Sequence, residues 1–282
     1  MNPPEEVVRA VGRALGTAPD AWGFVPAGHT YALKWIVPGA FVKAGAERSA
    51  KAQVEREAAV LDSLGGASFT PRVYSFEHSG DYAVLVLEDL GDGHWPPPYP
   101  DRGEALFRTL ERVAATPPPA FLPRQPSERP HGTYWSRLAD DPKPLHPFVR
   151  REWLEPAMPL LHEAESNATL HGDQLVHGDL WEGNTCYTAR GVVLVDWADA
   201  LVGDARVDLA YGIVSVRATK AKPVAVDLPE APAYAALLAG ANAWSVVHPP
   251  EVPGVGLLNV VHRRQLRASL SWAAELLGLP PL

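Results

Sequence analysis

Residues 177–184 read HGDLWEGN, and twelve residues beyond Asn184 the run VVLVD closes on Asp196. Asp179 and Asn184 stand five apart, and a hairpin formed by TCYT and VVLVD around Ala189-Arg190-Gly191 carries the chain back. Three oxygen-bearing side chains are thereby gathered at one edge of a small sheet. A hard cation such as Mg²⁺ takes carboxylate and carbonyl oxygens and completes its shell with water or phosphate oxygens, a requirement that Asn184 and Asp196 can meet. A further carboxylate just off such a metal can accept the proton of an attacking hydroxyl, as phosphoryl transfer to an alcohol requires, and Asp179 has that place.

A second HGD precedes this one, at His171-Gly172-Asp173. It fails on register, because five residues beyond Asp173 stands Gly178, which offers no side-chain ligand. Other chemistries lack their residues: HEAES at 162–166 has no second histidine for zinc, and neither a GxxxxGK[ST] loop nor a GxGxxG after a strand occurs.

The elements that must position these groups follow from the pattern. Residues 22–90 hold short β-like runs broken at Ala27-Gly28 and Pro38-Gly39, then a helix in KAQVEREAAVLDSL, then the runs RVYSF and YAVLVL around Ser79-Gly80-Asp81. In the helix Val54, Ala58, Leu61 and Leu64 recur at helical spacing and Gly65-Gly66 ends it. The predicted order is strand, strand, strand, helix, strand, strand. Between Pro96 and Pro147 fall 13 of the 29 prolines, which predicts loops around short helices, one over residues 102–115. Beyond, long apolar and amphipathic runs such as YAALLAGANAWSVV predict a mainly helical remainder, interrupted by the 185–196 hairpin.

In residues and spacing, Asp179, Asn184 and Asp196 resemble the catalytic and metal-binding loops of the aminoglycoside phosphotransferase family, within the protein-kinase-like superfamily that also holds choline and fructosamine kinases. That resemblance implies an α+β, bilobal protein-kinase-like fold: an N-terminal nucleotide-binding lobe over 1–88, with a small antiparallel sheet and one helix, and a larger helical C-terminal lobe over 89–282. It implies ATP and Mg²⁺, Asp179 as base, Asn184 and Asp196 on the metal, and a small-molecule hydroxyl acceptor. It also asks for a third-strand lysine paired to a glutamate on the next helix. Lys43 lies in the third run, Lys34 in the second, where it reads as a solvated strand lysine. Glu57, three after Val54 and four before Leu61, shares the inward face where a lone carboxylate is costly without a cation; Glu55 points away.

Three weaker assignments rest on the same resemblance, and a fourth, for His177, on the residue alone. The turn at Gly28, His29 and Thr30 stands where a phosphate-covering loop belongs, although an ordinary hairpin turn reads equally well. Leu87, Glu88, Asp89 and Leu90 stand at the inter-lobe hinge, whose backbone would meet adenine. Asp208 would brace the catalytic loop or simply cap a helix. His177 reads as a structural loop histidine, and Trp181 and Trp197 are the two tryptophans flanking the site. Trp181 occupies the place of a lysine in protein kinases, which disfavours a peptide acceptor. HGDLW-GN is close to the fructosamine kinase wording, so a sugar-amine (ketosamine) kinase is the alternative, with a nucleotide-binding pseudokinase as the reading from another class.

Composition supplies the exclusions. Lys and Arg total 25 against 33 for Asp and Glu, a net charge of −8, which disfavours a nucleic-acid partner. No apolar run reaches membrane-spanning length and the acidic start is unlike a signal peptide, so neither membrane nor secretion is expected. The single Cys186 forms no internal disulfide and suits the cytoplasm. Residues 1–88 carry 8 basic and 10 acidic side chains, leaving 17 and 23 in the half expected to bind the acceptor, and so a cationic or amine-bearing compound is expected there.

Overall fold

β-Branched and aromatic residues crowd residues 33–45 and 73–88, and in the computed structural model these segments pair into one sheet. Residues 1–26, 32–96, 103–126, 131–220, 222, 224–249 and 255–282 are described. The chain divides into two units, the first comprising Met1–Trp95 with Gly183–Ala200, the second Pro96–Glu182 with Leu201–Glu251 and Val255–Leu282.

The sheet of the first unit runs β1 (Gly23–Phe24), β2 (Leu33–Val37), β3 (Ala40–Gly45), β5 (Tyr82–Glu88) and β4 (Val73–Ser79), with every neighbour antiparallel. Gly39, at φ 79°, makes the tight β2–β3 turn in a backbone region that costs other residues about 1 kcal/mol or more. α2 (Arg48–Ser63) follows β3, so the predicted order of strands and helix is the observed one.

One further helix, α1 (Glu5–Leu15), was not anticipated. It buries Val7, Ala10 and Val11 against Trp35, Val37, Val42, Val84 and Val86, which strand alternation places on one sheet face. Its signals are present in the sequence: Pro3-Pro4 before it, two glutamates in the first turn, and Gly16 in the left-handed conformation after it. The hairpin β7 (Thr185–Thr188) with β8 (Gly191–Leu194) completes this unit.

The second unit is mainly helical: α3 (Gly103–Ala115), α4 (Tyr134–Ala139), α5 (Arg151–Ser166), α6 (Arg206–Ala218), α7 (Ala231–Val247) and α8 (Val255–Leu277). Its core gathers Trp135, Leu154, Leu161, Tyr234, Leu238, Leu266 and Leu270, all nearly free of solvent. A small antiparallel pair, β6 (Gln174–Val176) with β9 (Leu201–Gly203), leads directly into residues 177–184. No helix among the described residues is long and apolar enough to cross a membrane.

Candidate active site

Within the first unit β3 and α2 bring one lysine and one glutamate together out of water. Lys43 Nζ lies 2.8 and 2.6 Å from the two Glu57 oxygens and 3.1 Å from Asp196 Oδ1. Lys43 and Glu57 are buried, with Glu57 sharing the inward face of α2 with Val54 and Leu61. Glu55 is turned outward beside His78. Burial opposes the charge on Lys43, but Asp196 and Glu57 outweigh it and raise its pKa, so the amine stays protonated. Burial pushes Glu57 upward, with Lys43 pulling the other way.

Lys34 departs from expectation. It is 7% exposed and stands directly opposite Lys43 in the β2–β3 register. Residues facing each other across antiparallel strands share a face, so Lys34 lies on the side of the sheet turned away from α1, where its charge favours the ionised form of Glu57.

The hairpin sets Asn184 and Asp196 at one end. Thr185 pairs with Leu194, and one step further the Val195 N–H donates to the Asn184 carbonyl at 3.0 Å. Asp196 adopts the left-handed conformation at φ 68°, a strained state for a residue other than glycine. Next to it Trp197 is fully buried, donates its indole N–H to the Leu194 carbonyl at 2.8 Å and packs on Phe69. Trp197 is therefore an anchor of the turn and no stacking surface. Arg56 of α2 reaches the Ala200 carbonyl at 2.7 Å, fastening the segment beyond.

One carboxylate and one carboxamide at the same hairpin end are hard oxygen donors, and this donor set fits Mg²⁺. Among the described residues no three His, Cys, Asp or Glu side chains gather to hold a metal. A cation here would draw the rest of its shell from water and phosphate oxygens, as Mg²⁺ ordinarily does.

Within the second unit a buried aspartate holds residues 177–179. Asp208, in the first turn of α6, accepts from the His177 N–H at 2.6 Å and the Gly178 N–H at 3.3 Å. Burial raises its pKa to about 6, only partly offset by those two donors. The N-cap of α6 is Ala205, so Asp208 reaches the loop from inside the helix. His177 is fully buried and its Nδ1 accepts from the Asp179 N–H at 3.3 Å, which ties the ring to the loop it sits in. Glu182 was missed from sequence. Its side chain is 1% exposed and is paired with Arg264 and, at 3.2 Å, with Gln265, so α8 grips the loop three residues beyond Asp179.

The upstream HGD is otherwise occupied. The Asp173 side chain is 89% exposed on Arg124, and a Cβ at Gly172 would fall 2.5 Å from the Gly203 carbonyl oxygen, a close approach that only glycine permits. In the first unit Leu87 is buried, Glu88 is paired with Arg190, Asp89 accepts from the Gly91 N–H at 2.9 Å, and the Leu90 carbonyl accepts from Gly93 at 2.8 Å. Gly28, His29 and Thr30 lie outside the described residues.

Comparison with known proteins bears on this arrangement in three ways. No curated protein matches the chain. Solved structures share its fold across nearly the whole length. A choline/ethanolamine kinase family protein from Mesorhizobium loti is 12% identical with a TM-score of 0.59, covering 97% of this chain and 98% of that one. A spectinomycin phosphotransferase in complex with ADP and spectinomycin is 11% identical with a TM-score of 0.57, covering 96% and 99%. The choline kinase LicA from Streptococcus pneumoniae is 12% identical with a TM-score of 0.56, covering 95% and 99%. The model of the phosphotransferase enzyme family matches residues 28–248, a span that holds Lys43, Glu57, Asp179, Asn184, Asp196 and Asp208, and the chain belongs to that family.

Proposed function

We propose that this phosphotransferase moves the γ-phosphate of ATP, with Mg²⁺, onto a hydroxyl of a small molecule. The observation that carries the reading is the buried Lys43–Glu57 ion pair with Asp196 on the same amine. Ion pairing with Glu57 alone would leave the pair no reason to include a strained, left-handed aspartate. Asp196 on that amine sets a hard oxygen donor next to an ammonium, so a nucleotide phosphate that brings its own cation can meet both.

Residues 1–88 then hold the nucleotide, with Gly28, His29 and Thr30 over the phosphates and the Leu87–Leu90 backbone at adenine, and 89–282 hold the acceptor. Lys43 steadies the phosphates and Glu57 aims Lys43. Asn184 and Asp196 hold Mg²⁺, which when bound neutralises phosphate charge. Asp179 orients the acceptor hydroxyl and takes its proton, while His177 and Asp208 set the loop. Catalysis on this reading is positioning and charge neutralisation, with no covalent intermediate on the chain. The HGDLW-GN wording keeps a sugar-amine acceptor as the second reading, and the reduced single cysteine suits the cytoplasm.

The test is ADP release by the purified protein, measured with ATP or GTP, with Mg²⁺ or EDTA, and across amino alcohols, sugars, glycated amines and aminoglycosides. Acceptor-dependent release that EDTA abolishes is expected. Nucleotide binding with no transfer to any acceptor class would favour the pseudokinase.

A further inference from the structure

The geometry points to a compact, apolar-bodied alcohol without an anionic group as the acceptor, bound in a cavity of the second unit beside Asp179. This rests on the phosphotransferase reading and narrows it. The cavity measures about 170 Å³ and opens against Gly178, the residue before Asp179. Drug-sized ligands occupy roughly 300–1,000 Å³. A cavity this far below that range seats a compact body, and a multi-ring aminoglycoside would extend out of it.

Its chemistry is as selective as its size. Among the described residues the wall is largely apolar, with Leu237 of α7 typical, and its polar groups are Gln125, Tyr134, Asp204 and Tyr211. Among the described residues no Lys, Arg or His lines it, so an acceptor bearing a carboxylate or phosphate would be desolvated there without a counter-charge from them. Asp204 is already engaged by Arg206 through three close contacts and by the Tyr234 hydroxyl at 3.2 Å. Tyr211 carries a phenol whose pKa burial raises, with Tyr134, Asp179 and Asp208 adding to the shift, so it remains a hydrogen-bond donor and lies close enough to Asp179 to feel its charge. A small alcohol with its body against the α7 wall and its hydroxyl toward Asp179 is the ligand these surfaces fit, and an amine on that body is tolerated.

The experiment uses the full chain with trans-4-aminocyclohexanol, kanamycin and gluconate as probes, scoring acceptor-dependent ADP release and, separately, ATP affinity by calorimetry. Ala241, also on the wall, is changed to Phe to fill the space, with Leu237→Trp as a second filling variant should the first not fold. The expected result is a kcat/KM for trans-4-aminocyclohexanol at least tenfold above the other two probes. Ala241→Phe should cut it at least tenfold with ATP affinity kept within twofold, and Tyr211→Phe should raise KM with little change in kcat. Preference for kanamycin or gluconate, no turnover of trans-4-aminocyclohexanol by a protein that binds ATP, or indifference to both filling variants would overturn the assignment. Failure of the wild type to bind ATP would instead bring down the phosphotransferase reading itself.

Discussion

Lys34 and Lys43 stand opposite one another on β2 and β3, both buried, on the sheet face turned away from α1. Two like charges in that position repel, and the arrangement is tolerable only with negative charge close by. Glu57 and Asp196 supply it on the Lys43 side. ATP phosphates would add more, so both lysines should contribute to nucleotide binding, unequally. Lys43→Ala strands Glu57 as a buried charge, costs roughly 3–5 kcal/mol of stability by analogy with broken buried pairs, and should lower kcat at least a hundredfold. Lys34→Ala should raise the KM for ATP severalfold with kcat nearly intact. Steady-state kinetics separate the two, and a Lys34→Ala enzyme with unchanged KM would return that residue to a purely structural role.

Asp179→Asn should abolish transfer while leaving Mg²⁺·ATP affinity within threefold, because the residue is assigned to the hydroxyl and not to the nucleotide. The isosteric amide keeps the backbone bond to His177 Nδ1. Calorimetric titration alongside the ADP-release assay reads both properties, and turnover within tenfold of wild type would remove Asp179 from the role of base.

Asp196→Ala and Asp173→Ala form a matched pair. The first removes a proposed metal ligand and a partner of Lys43, so the Mg²⁺-dependent part of ATP affinity should vanish along with turnover. The second removes an exposed surface pairing with Arg124, worth about 0–1 kcal/mol, and should leave both properties unchanged. Nucleotide titration with and without Mg²⁺ distinguishes them; exchanged phenotypes would show that the wrong HGD copy carries the chemistry.

What the sequence disclosed was what local pattern encodes. Strand alternation and helix period located β2 to β5 and α2, and the inward phase of Glu57 follows from Val54 and Leu61 on the same face of the helix. The burial of Lys34 was hidden because it depends on register: only pairing β2 against β3 puts residue 34 across from 43. β6 and β9 escaped notice as three-residue strands whose pairing joins segments far apart in sequence. Glu182 drew no assignment from the sequence, since nothing near residue 182 announces that Arg264, 82 positions later, will pair with it. The acceptor cavity is hidden for the same reason, its wall being assembled from separate segments.

Glu182 is accordingly a positioning residue for the loop. Glu182→Ala should destabilise the protein by roughly 2–4 kcal/mol, less than a fully buried pair because Arg264 keeps some exposure, and should lower kcat with the KM for ATP unaltered. Glu182→Gln retains hydrogen bonds to Arg264 and Gln265 and should recover part of both losses. Thermal unfolding and kinetics on the two variants test this; equal kcat in Glu182→Ala and wild type would confine the pair to stability.

Asp208 predicts a pH signature. Its folded-state pKa is about 6 against an ordinary 3.8, with burial as the main cause. The folded protein therefore binds more protons than the unfolded chain between those values, and stability from this group is gained as pH falls from about 6 toward 4 and absent above 6. The full effect is about 3 kcal/mol, at 1.36 kcal/mol for each unit of displacement. Asp208→Asn still accepts from the His177 N–H but cannot titrate. Urea unfolding of both proteins at several pH values between 4 and 7 should show wild type gaining on the variant by about 2 kcal/mol as the solution is acidified, the remainder of the effect lying below pH 4, since contributions from all other carboxylates are common to the two and cancel. Parallel profiles would mean that the two backbone donors hold Asp208 near its unfolded-state value and that the loop is braced by an ordinary carboxylate.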